Sequence, residues 1–222
     1  MAGRFEIPAY FAKLALMVDL HPIEKIYTIA EYLEQEDASE LRHEFHNGTL
    51  AEMAGGILPH NAIKLRIAGM LDLMLTRQNM PHVACNSDTK VRIEAGNRFV
   101  YPDLTVTDGR PQYYRTPEGA LRRDIVVNPL LIVEVLSAET RAFDKSEKFD
   151  LYSAIPGFRE YILIEPETLW VKSYFLQDPA RKLWHIQTLT ERDAVLSLQT
   201  LGLEIPLGEL YAVLEKLPGA EE

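Results

Sequence analysis

The sequence predicts one mixed α/β domain in which a central sheet is flanked by helices. The predicted elements follow the order helix, hairpin, helix, strands, helix, strands, which is typical of a layered α/β architecture. The run 131–136 is almost wholly aliphatic, as in a strand buried on both faces. Hydrophobic residues make up 47% and charged residues 25% of the 222 positions, which suits a soluble domain with a substantial core. We assign this domain to residues 24–217 and residues 1–23 to an N-terminal arm.

The first elements are a short helix and a hairpin. Thr28 is the expected N-cap of a helix over 29–35, because Glu31 follows at the capping-box spacing. Asn47 and Gly48 then form the kind of two-residue turn that joins antiparallel strands. The segment around this turn is therefore predicted to be a β-hairpin.

A long helix and two strands come next. The apolar residues within 61–78 recur with a period near 3.6, which predicts a helix packed on the core. They are Ile63, Ile67, Met70, Leu71, Met74 and Leu75. Strands are predicted at 83–94 and 98–107, and a polar loop at 109–124. The buried strand 130–136 follows this loop.

The last third of the chain predicts one helix, further strands and a final helix. Asp144 is expected to begin a helix, with Glu147 as its capping-box partner. Pro156 and Gly157 end that helix. Further strands are predicted at 161–164, 169–175 and 183–189, before a turn and a short helix near the C-terminus.

Composition restricts the setting and the partners. The single cysteine, Cys85, excludes an internal disulfide framework and a cysteine-based zinc site, and makes a reducing cytoplasm the default. No apolar run reaches the length of a membrane-spanning helix. The short run 9–18 is interrupted by Lys13 and predicts an amphipathic arm rather than a signal peptide. The net charge of −10 argues against broad attraction to nucleic acid, but it allows a local basic surface around an acidic metal site.

Two acidic residues on predicted strands suggest a chemical function. Glu134 lies inside an aliphatic run, where an unpaired carboxylate would cost several kcal/mol or stay protonated. Asp103 follows Pro102 in another strand-like segment. If the two strands are neighbours, both carboxylates can share a hard divalent cation, Mg2+ or alternatively Mn2+. Such a cation can generate hydroxide from water and stabilise charge on a phosphodiester.

These acids lie in motifs that resemble a known nuclease family. "YPD" followed by "IVEVLS" resembles the PD-(D/E)XK nuclease superfamily. The ordered run "HEFHNGTLAEM", "YPDLTV" and "LIVEVLSAETRAFDKSEKFDLYSAIPGFREYILIEP" is similar, over about residues 24–210, to the bacterial restriction-endonuclease family called Uma-two. The resemblance implies a restriction-endonuclease-like fold and metal-dependent hydrolysis of DNA phosphodiester bonds. Asp103 and Glu134 would be the metal ligands.

The resemblance also suggests the other site residues. The superfamily's signature lysine would stand two positions after Glu134, where this chain has Leu136. Lys148 is the candidate replacement, since the lysine of the resembled family lies on the following helix, and Lys145 is the alternative. Glu44 matches a glutamate of that family and could complete the ligand set. A positioned lysine would orient the attacking hydroxide or stabilise the transition state.

Two other functions remain open at this level. Glu134 could form a buried ion pair with Lys148 and bind no metal, in which case the chain would be a catalytically silent nuclease fold used for binding or assembly. The net charge of −10 favours this alternative. A metal-dependent hydrolase of small phosphates would also suit an acidic protein, but the sequence has no phosphate-cradling glycine loop to support it.

Several nearby residues have simpler interpretations. His43 and His46 are spaced by three on a probable strand rather than by four on a helix, which argues against a zinc-protease motif. His60 could lie near the site, although a helix cap or a packed imidazole is the ordinary role. Tyr152 shares a helical face with Lys148, where core packing is the default and a supporting role in the site is the alternative.

The expected assembly is a homodimer bound to DNA. Cutting both strands of a duplex needs two active sites, which a symmetric dimer supplies. The apolar segment 10–20 could provide the interface between the two copies.

Overall fold

The computed structural model describes residues 25–53, 55–137, 141–144 and 147–218. The predicted arm and Lys145 therefore lie outside the described residues. The described chain forms two six-stranded sheets and one two-stranded sheet, with helices packed against them. This mixed α/β architecture confirms the predicted fold class, although two large sheets replace the single central sheet. None of the described helices is long and apolar enough to cross a membrane.

The first helix and the hairpin form as predicted. Helix α1 spans Ile29–Ala38, and its N-terminus carries a full capping box between Thr28 and Glu31. Strands β1 (His43–His46) and β2 (Thr49–Glu52) pair antiparallel around the Asn47-Gly48 turn. Both turn residues have positive φ, 50° and 105°, which is the conformation this turn type requires.

Helix α2 spans Leu58–Arg77 and begins three residues earlier than predicted. Pro59 lies in its first turn, where a missing backbone N–H costs nothing. The predicted apolar stripe is buried along one side of the helix, with Met74 partly buried at its edge. The same side also buries His60, which directs the imidazole inwards.

The region 83–126 contains more strands than predicted. Strands β3 (Ala84–Asn86), β4 (Lys90–Ile93), β5 (Arg98–Val100) and β6 (Leu104–Thr107) replace the two longer predicted strands. The predicted loop 109–124 instead holds β7 (Tyr113–Arg115) and most of β8 (Leu121–Val126). Both strands are largely exposed at their outer residues, so their polar sequences resemble a loop. The first sheet has the order β2-β1-β5-β4-β8-β7.

The second sheet carries the acidic motifs. Its central strand β9 spans Pro129–Val135, and all seven residues are buried. It pairs parallel with β10 (Glu160–Glu165) and antiparallel with β6. Strands β11 (Trp170–Asp178) and β12 (Leu183–Leu189) complete the order β12-β11-β10-β9-β6-β3. The strands that carry the two predicted ligands are therefore neighbours, as expected.

The segment before the C-terminus forms a hairpin that the sequence did not predict. Strands β13 (Val195–Leu198) and β14 (Leu203–Pro206) pair antiparallel. Helix α5 (Leu207–Tyr211) and the 3-10 helix Leu214–Lys216 follow. The apolar residues of this hairpin share one core with α2 and with one face of β9.

The predicted helix start at Asp144 is wrong. A short helix α3 spans Arg141–Asp144, so Asp144 ends a helix, and α4 spans Glu147–Ser153. Asp144 is 1% exposed, and its carboxylate pairs with Lys148 Nζ at 2.8 Å. The aspartate thus neutralises a buried cation. Helix α4 packs against the face of β9 opposite to α2, where Tyr152 shares a core with Ile132.

Candidate active site

One cleft brings together all four residues that the sequence singled out. Glu44, Asp103, Glu134 and Lys148 line a space of about 780 Å³ between the hairpin, helix α2, strand β9 and helix α4. The cleft lies at the end of β9, where α4 covers one face of the sheet and α2 the other. Residues far apart in sequence therefore meet because these four elements border one cleft.

Glu134 is a buried carboxylate with three protein donors. It is 3% exposed. Its Oε1 accepts hydrogen bonds from Lys148 Nζ at 3.0 Å and from the Tyr152 hydroxyl at 2.7 Å. Its Oε2 accepts the backbone N–H of Asp103 at 3.3 Å. These donors explain how an apolar strand tolerates a glutamate, because a buried charge needs both a counter-charge and hydrogen bonds.

Asp103 lies where the regular pairing of β6 with β9 stops. The register Leu104–Val133 puts Asp103 across from Glu134, but β6 begins only at Leu104. The Asp103 side chain continues the pairing instead, since its Oδ2 accepts the N–H of Val135 at 2.8 Å. Pro102 cannot donate to a ladder, which is consistent with the break before Asp103. The carboxylate is thereby fixed to the end of β9.

Two basic side chains of α2 face Asp103. Nε2 of His60 lies 3.4 Å from its Oδ2, and Nζ of Lys64 lies 3.4 Å from its Oδ1. Burial favours the protonated acid, but His60, Lys64 and the Val135 N–H outweigh it and hold the pKa of Asp103 below its ordinary value. Asp103 is therefore ionised at neutral pH.

Lys148 reaches the acidic residues from the helix that follows the strand. It is 6% exposed, and its ammonium lies between Glu134 and Asp144. Burial alone would lower its pKa, but the carboxylates of Glu134, Glu44 and Asp144 raise it well above the ordinary value. Leu136, at the position of the superfamily lysine, is fully buried in the core. The cation beside Glu134 thus comes from α4 and stays charged at neutral pH.

Glu44 is held by the first sheet. Its Oε1 accepts the N–H of Tyr101 at 3.1 Å, and its Oε2 lies 3.0 Å from Nε2 of His46. Arg98 donates to Nδ1 of His46, so the ring proton of a neutral His46 is on Nε2 and points at Glu44. Burial raises the pKa of Glu44, but the contacts with His46, Lys148 and Tyr101 lower it overall.

The cleft carries more acidic than basic side chains. Among its described residues, six carboxylates (Glu40, Glu44, Glu52, Asp103, Glu134, Asp144) face four cations (Arg42, Lys64, Arg98, Lys148). The pKa of Glu134 rises to about 8, because burial and the charges of Asp144 and Asp103 oppose its ionisation more than Lys148 supports it. Burial and the neighbouring charges therefore disfavour ionisation of Glu134 in the metal-free protein.

The donor set fits a hard divalent cation better than zinc. Its candidate ligands are carboxylate oxygens, which Mg2+ and Mn2+ prefer. No three His, Cys, Asp or Glu side chains in the described part of the chain form a ready-made metal cluster. Mg2+ is commonly held by only one or two carboxylates with water in its other positions. Asp103 and Glu134 are sufficient for such a site.

Sequence reasoning missed several residues of the cleft. For His60, a helix cap or a packed imidazole was the ordinary expectation and a place near the site the alternative, and the structure brings it to Asp103. Its ring passes so close to Gly56 that a Cβ there would lie 2.4 Å from Nδ1, which explains a glycine before α2. Lys64 was not considered, although its spacing of four from His60 puts both on one helical face. Tyr152, for which core packing was the default, also donates to Glu134.

Comparison with a solved structure identifies the fold. A crystal structure titled "putative nuclease belonging to DUF820", from Anabaena variabilis, superposes with a TM-score of 0.65 at 19% identity. The match covers 85% of this chain and 99% of that chain. The two chains therefore share one fold.

Comparison of the sequence identifies the family. Residues 29–208 match Uma2, described as "Putative restriction endonuclease", and the chain belongs to this family of nucleases. The protein sll1609 of Synechocystis sp. is 33% identical over 180 residues, which cover 81% of this chain and 96% of the relative. The protein slr1290 of the same organism is 28% identical over 181 residues, covering 82% and 89%. Both relatives are named as uncharacterized proteins.

The raised pKa of Glu134 predicts a pH dependence of stability without metal. The native state holds a proton on Glu134 up to a pKa of about 8, against 4.5 for the ordinary group. The unfolded chain releases this proton earlier, so the free energy of unfolding should fall as pH rises from about 4.5 to about 8, by about 1 kcal/mol per pH unit. Urea denaturation in EDTA at several pH values measures this slope.

The variant Glu134→Gln is the protein with which the pH dependence of the parent's stability is compared. Glutamine keeps an acceptor for Lys148 and Tyr152 but does not titrate, so the fall between pH 7 and 8 should be shallower in the variant. Glu160, with a pKa of about 7, and His60, whose pKa Asp103 raises, add a fall in both proteins, so the difference between the two slopes above pH 7 is the informative quantity. Equal slopes there in both proteins would contradict the prediction.

Proposed function

We propose that this protein is a Mg2+-dependent endonuclease, with Mn2+ as an alternative cofactor, that hydrolyses DNA phosphodiester bonds. In this proposal Asp103 and Glu134 hold the metal, Lys148 supplies the fixed positive charge, and Glu44 supports the site. The observation that carries it is the meeting of Asp103, Glu134 and Lys148 in one cleft, with Lys148 Nζ 3.0 Å from Glu134 Oε1. Membership of the Uma2 family supports the same reaction class.

The hydrogen bonds of the two acids favour particular oxygens as ligands. Oδ2 of Asp103 accepts from Val135 and faces His60, and Oε1 of Glu134 accepts from Lys148 and Tyr152. Oε2 of Glu134 accepts one long hydrogen bond, 3.3 Å, from the Asp103 N–H, and Oδ1 of Asp103 faces Lys64 at 3.4 Å, so these two more weakly held oxygens are the better suited to a metal. When bound, Mg2+ would lower the pKa of a water molecule and stabilise charge on the phosphate. The protein's own groups keep the two carboxylates oriented for this purpose.

Lys148 would act as a cation rather than as a base. Its raised pKa means that the ammonium has no lone pair with which to accept a proton near pH 7. A fixed ammonium beside the metal ligands can orient the attacking water and stabilise the negative charge that develops on the phosphate. Glu44 would serve mainly as a distant counter-charge for Lys148, since its own oxygens already contact Tyr101 and His46.

A catalytically silent nuclease fold remains the rival proposal. The ion pair between Glu134 and Lys148, together with the Tyr152 hydroxyl, compensates the buried glutamate without any metal. A calorimetric titration with Mg2+ distinguishes the two proposals. An active nuclease should bind Mg2+, and Asp103→Ala should abolish the binding, whereas a silent module need not bind the ion.

The proposal extends to assembly and location. We infer a homodimer, because cleavage of both DNA strands needs two sites, and a cytoplasmic location, because the only cysteine is the free Cys85. The segment 10–20, which we suggested as the interface, lies outside the described residues. Light scattering should give twice the chain mass of 25.3 kDa, and a monomer would contradict the dimer.

Removal of either proposed ligand should abolish cleavage. Asp103→Ala and Glu134→Ala each delete one of the two carboxylates that would bind Mg2+, so nicking of supercoiled plasmid in Mg2+ should fall to background. Asp72→Ala, an exposed residue of α2 outside the cleft, is the matched control and should cut like the parent. If both ligand variants cut at the parental rate, the activity comes from another site or from a contaminant.

Loss of the Lys148 charge should slow the reaction without removing metal binding. Lys148→Met should lower kcat by about 10²–10³-fold, the range for losing one electrostatic contact in a transition state. Breaking a buried ion pair costs about 3–5 kcal/mol, so circular dichroism must show that the variant is folded at the assay temperature. Lys148→Arg keeps the charge and should be more stable than Lys148→Met.

Lys145→Met is the control for the choice of lysine. Because Lys148 is the residue whose ammonium contacts Glu134, the Lys145 variant should lose much less activity. The reverse order would transfer the proposed role to Lys145.

A further inference from the structure

Lys64 differs from the other cations of the cleft in how it is held. It lies on α2, and its side chain is 27% exposed, compared with 8% for Lys148. Lys148 lies between two carboxylates, whereas Asp103 is the ion-pair partner of Lys64 among the described residues. A lysine with a long, partly solvated stem can move its ammonium at little cost. Lys64 therefore has the freedom to take another position.

The oxygen that Lys64 covers is the one best suited to a metal. Oδ2 of Asp103 is occupied by the Val135 N–H and by His60. Oδ1 faces Lys64 Nζ at 3.4 Å. A divalent ion on Oδ1 would be within a few ångströms of this ammonium, and like charges at that distance repel. Binding of Mg2+ and the present position of Lys64 thus compete for one oxygen.

The remaining cations of the cleft already have partners that metal binding would leave in place. Arg42 pairs with Asp88, Arg98 donates to His46, and Lys148 pairs with Asp144. Lys148 would keep Asp144 when Glu134 binds metal, whereas the described ion-pair partner of Lys64 is Asp103, itself a proposed metal ligand. The charge of Lys64 would then be left at the mouth of an otherwise acidic cleft, where a phosphate oxygen of the substrate can accept it.

We propose that Lys64 is a substrate-binding residue with two positions. In the metal-free protein it is the counter-ion of Asp103, and on metal binding it moves to a phosphate of the DNA backbone. This inference rests on the proposed function, since it requires both the metal and a phosphodiester substrate. It predicts that loss of Lys64 strengthens the binding of Mg2+ and weakens the binding of DNA.

The first measurement is metal binding without DNA. Lys64→Met removes the competing cation, so calorimetric titration should show Mg2+ bound about 2–5-fold more tightly, the range that corresponds to a partly exposed ion pair. Arg66→Met is the matched control, because it removes the same charge from α2 at a residue outside the cleft whose side chain bonds to the Glu209 carbonyl. The control should bind Mg2+ like the parent.

The second measurement is DNA binding at different salt concentrations. The probe is a labelled duplex oligonucleotide with saturating Ca2+, which shares the preference for oxygen ligands. Loss of one phosphate contact should weaken binding and make the slope of log K against log salt shallower by about 0.9. Arg66→Met should leave both quantities unchanged. If Lys64 had a purely structural role, Lys64→Met would neither raise the affinity for Mg2+ nor change the salt slope of DNA binding.

The outcomes separate this inference from the proposed function. If the parent binds Mg2+ and cuts DNA but Lys64→Met has unchanged or weaker metal affinity, the competition is disproved and the nuclease function stands. An unchanged salt slope would disprove the phosphate contact in the same way. If the parent neither binds Mg2+ nor cuts DNA, both proposals fail together. A thermal melt of each variant confirms that the comparison is between folded proteins.

Discussion

The buried charge of Glu134 is the constraint on which the arrangement of the site depends. A carboxylate near the end of a fully buried strand requires a cation and hydrogen-bond donors at fixed places. Lys148 and Tyr152 supply them from one face of α4, four residues apart, which fixes how that helix packs on the sheet. The N–H of Asp103 supplies the third contact and requires the neighbouring strand to end its regular pairing there. The stability of this region and the geometry of its polar groups therefore have the same cause.

The same contacts bear on whether the site is catalytic. A structural ion pair alone would need one carboxylate for one lysine, and a buried pair of that kind is often no more stable than apolar packing. Here Lys148 contacts Glu134 and Asp144, while Glu44 lies close enough to affect its pKa. Burial, together with the charges of Asp144 and Asp103, raises the pKa of Glu134 to about 8, which costs stability that a divalent cation would restore. Carboxyl groups whose pKa is strongly shifted by burial and by nearby charges are typical of functional sites.

The sequence predicted the parts of this fold whose signals are local. The capping box of α1, the Asn47-Gly48 turn and the apolar strand around Glu134 all depend on neighbouring residues, and all three were found. Strands β7, at the sheet edge, and β8, beside it, were missed, because their exposed polar residues lack the apolar alternation that indicates a strand. Asp144 was expected to cap a helix, and its burial against Lys148 depends on tertiary packing that a capping pattern does not contain. Lys64 was missed for the same reason.

The acidic net charge and the expected DNA substrate can be reconciled at the scale of the cleft. A charge of −10 acts over the whole surface, but at physiological salt it is screened beyond about 8 Å. In the cleft itself, the substrate would meet the six carboxyl groups and four cations that line it. Glu134 largely keeps its proton at neutral pH without metal, and a divalent ion would offset the remaining acidic excess. In a protein of this composition, the metal would therefore be needed for the phosphate to approach as well as for the chemistry, and affinity for DNA should depend on metal more strongly than it does in a basic nuclease.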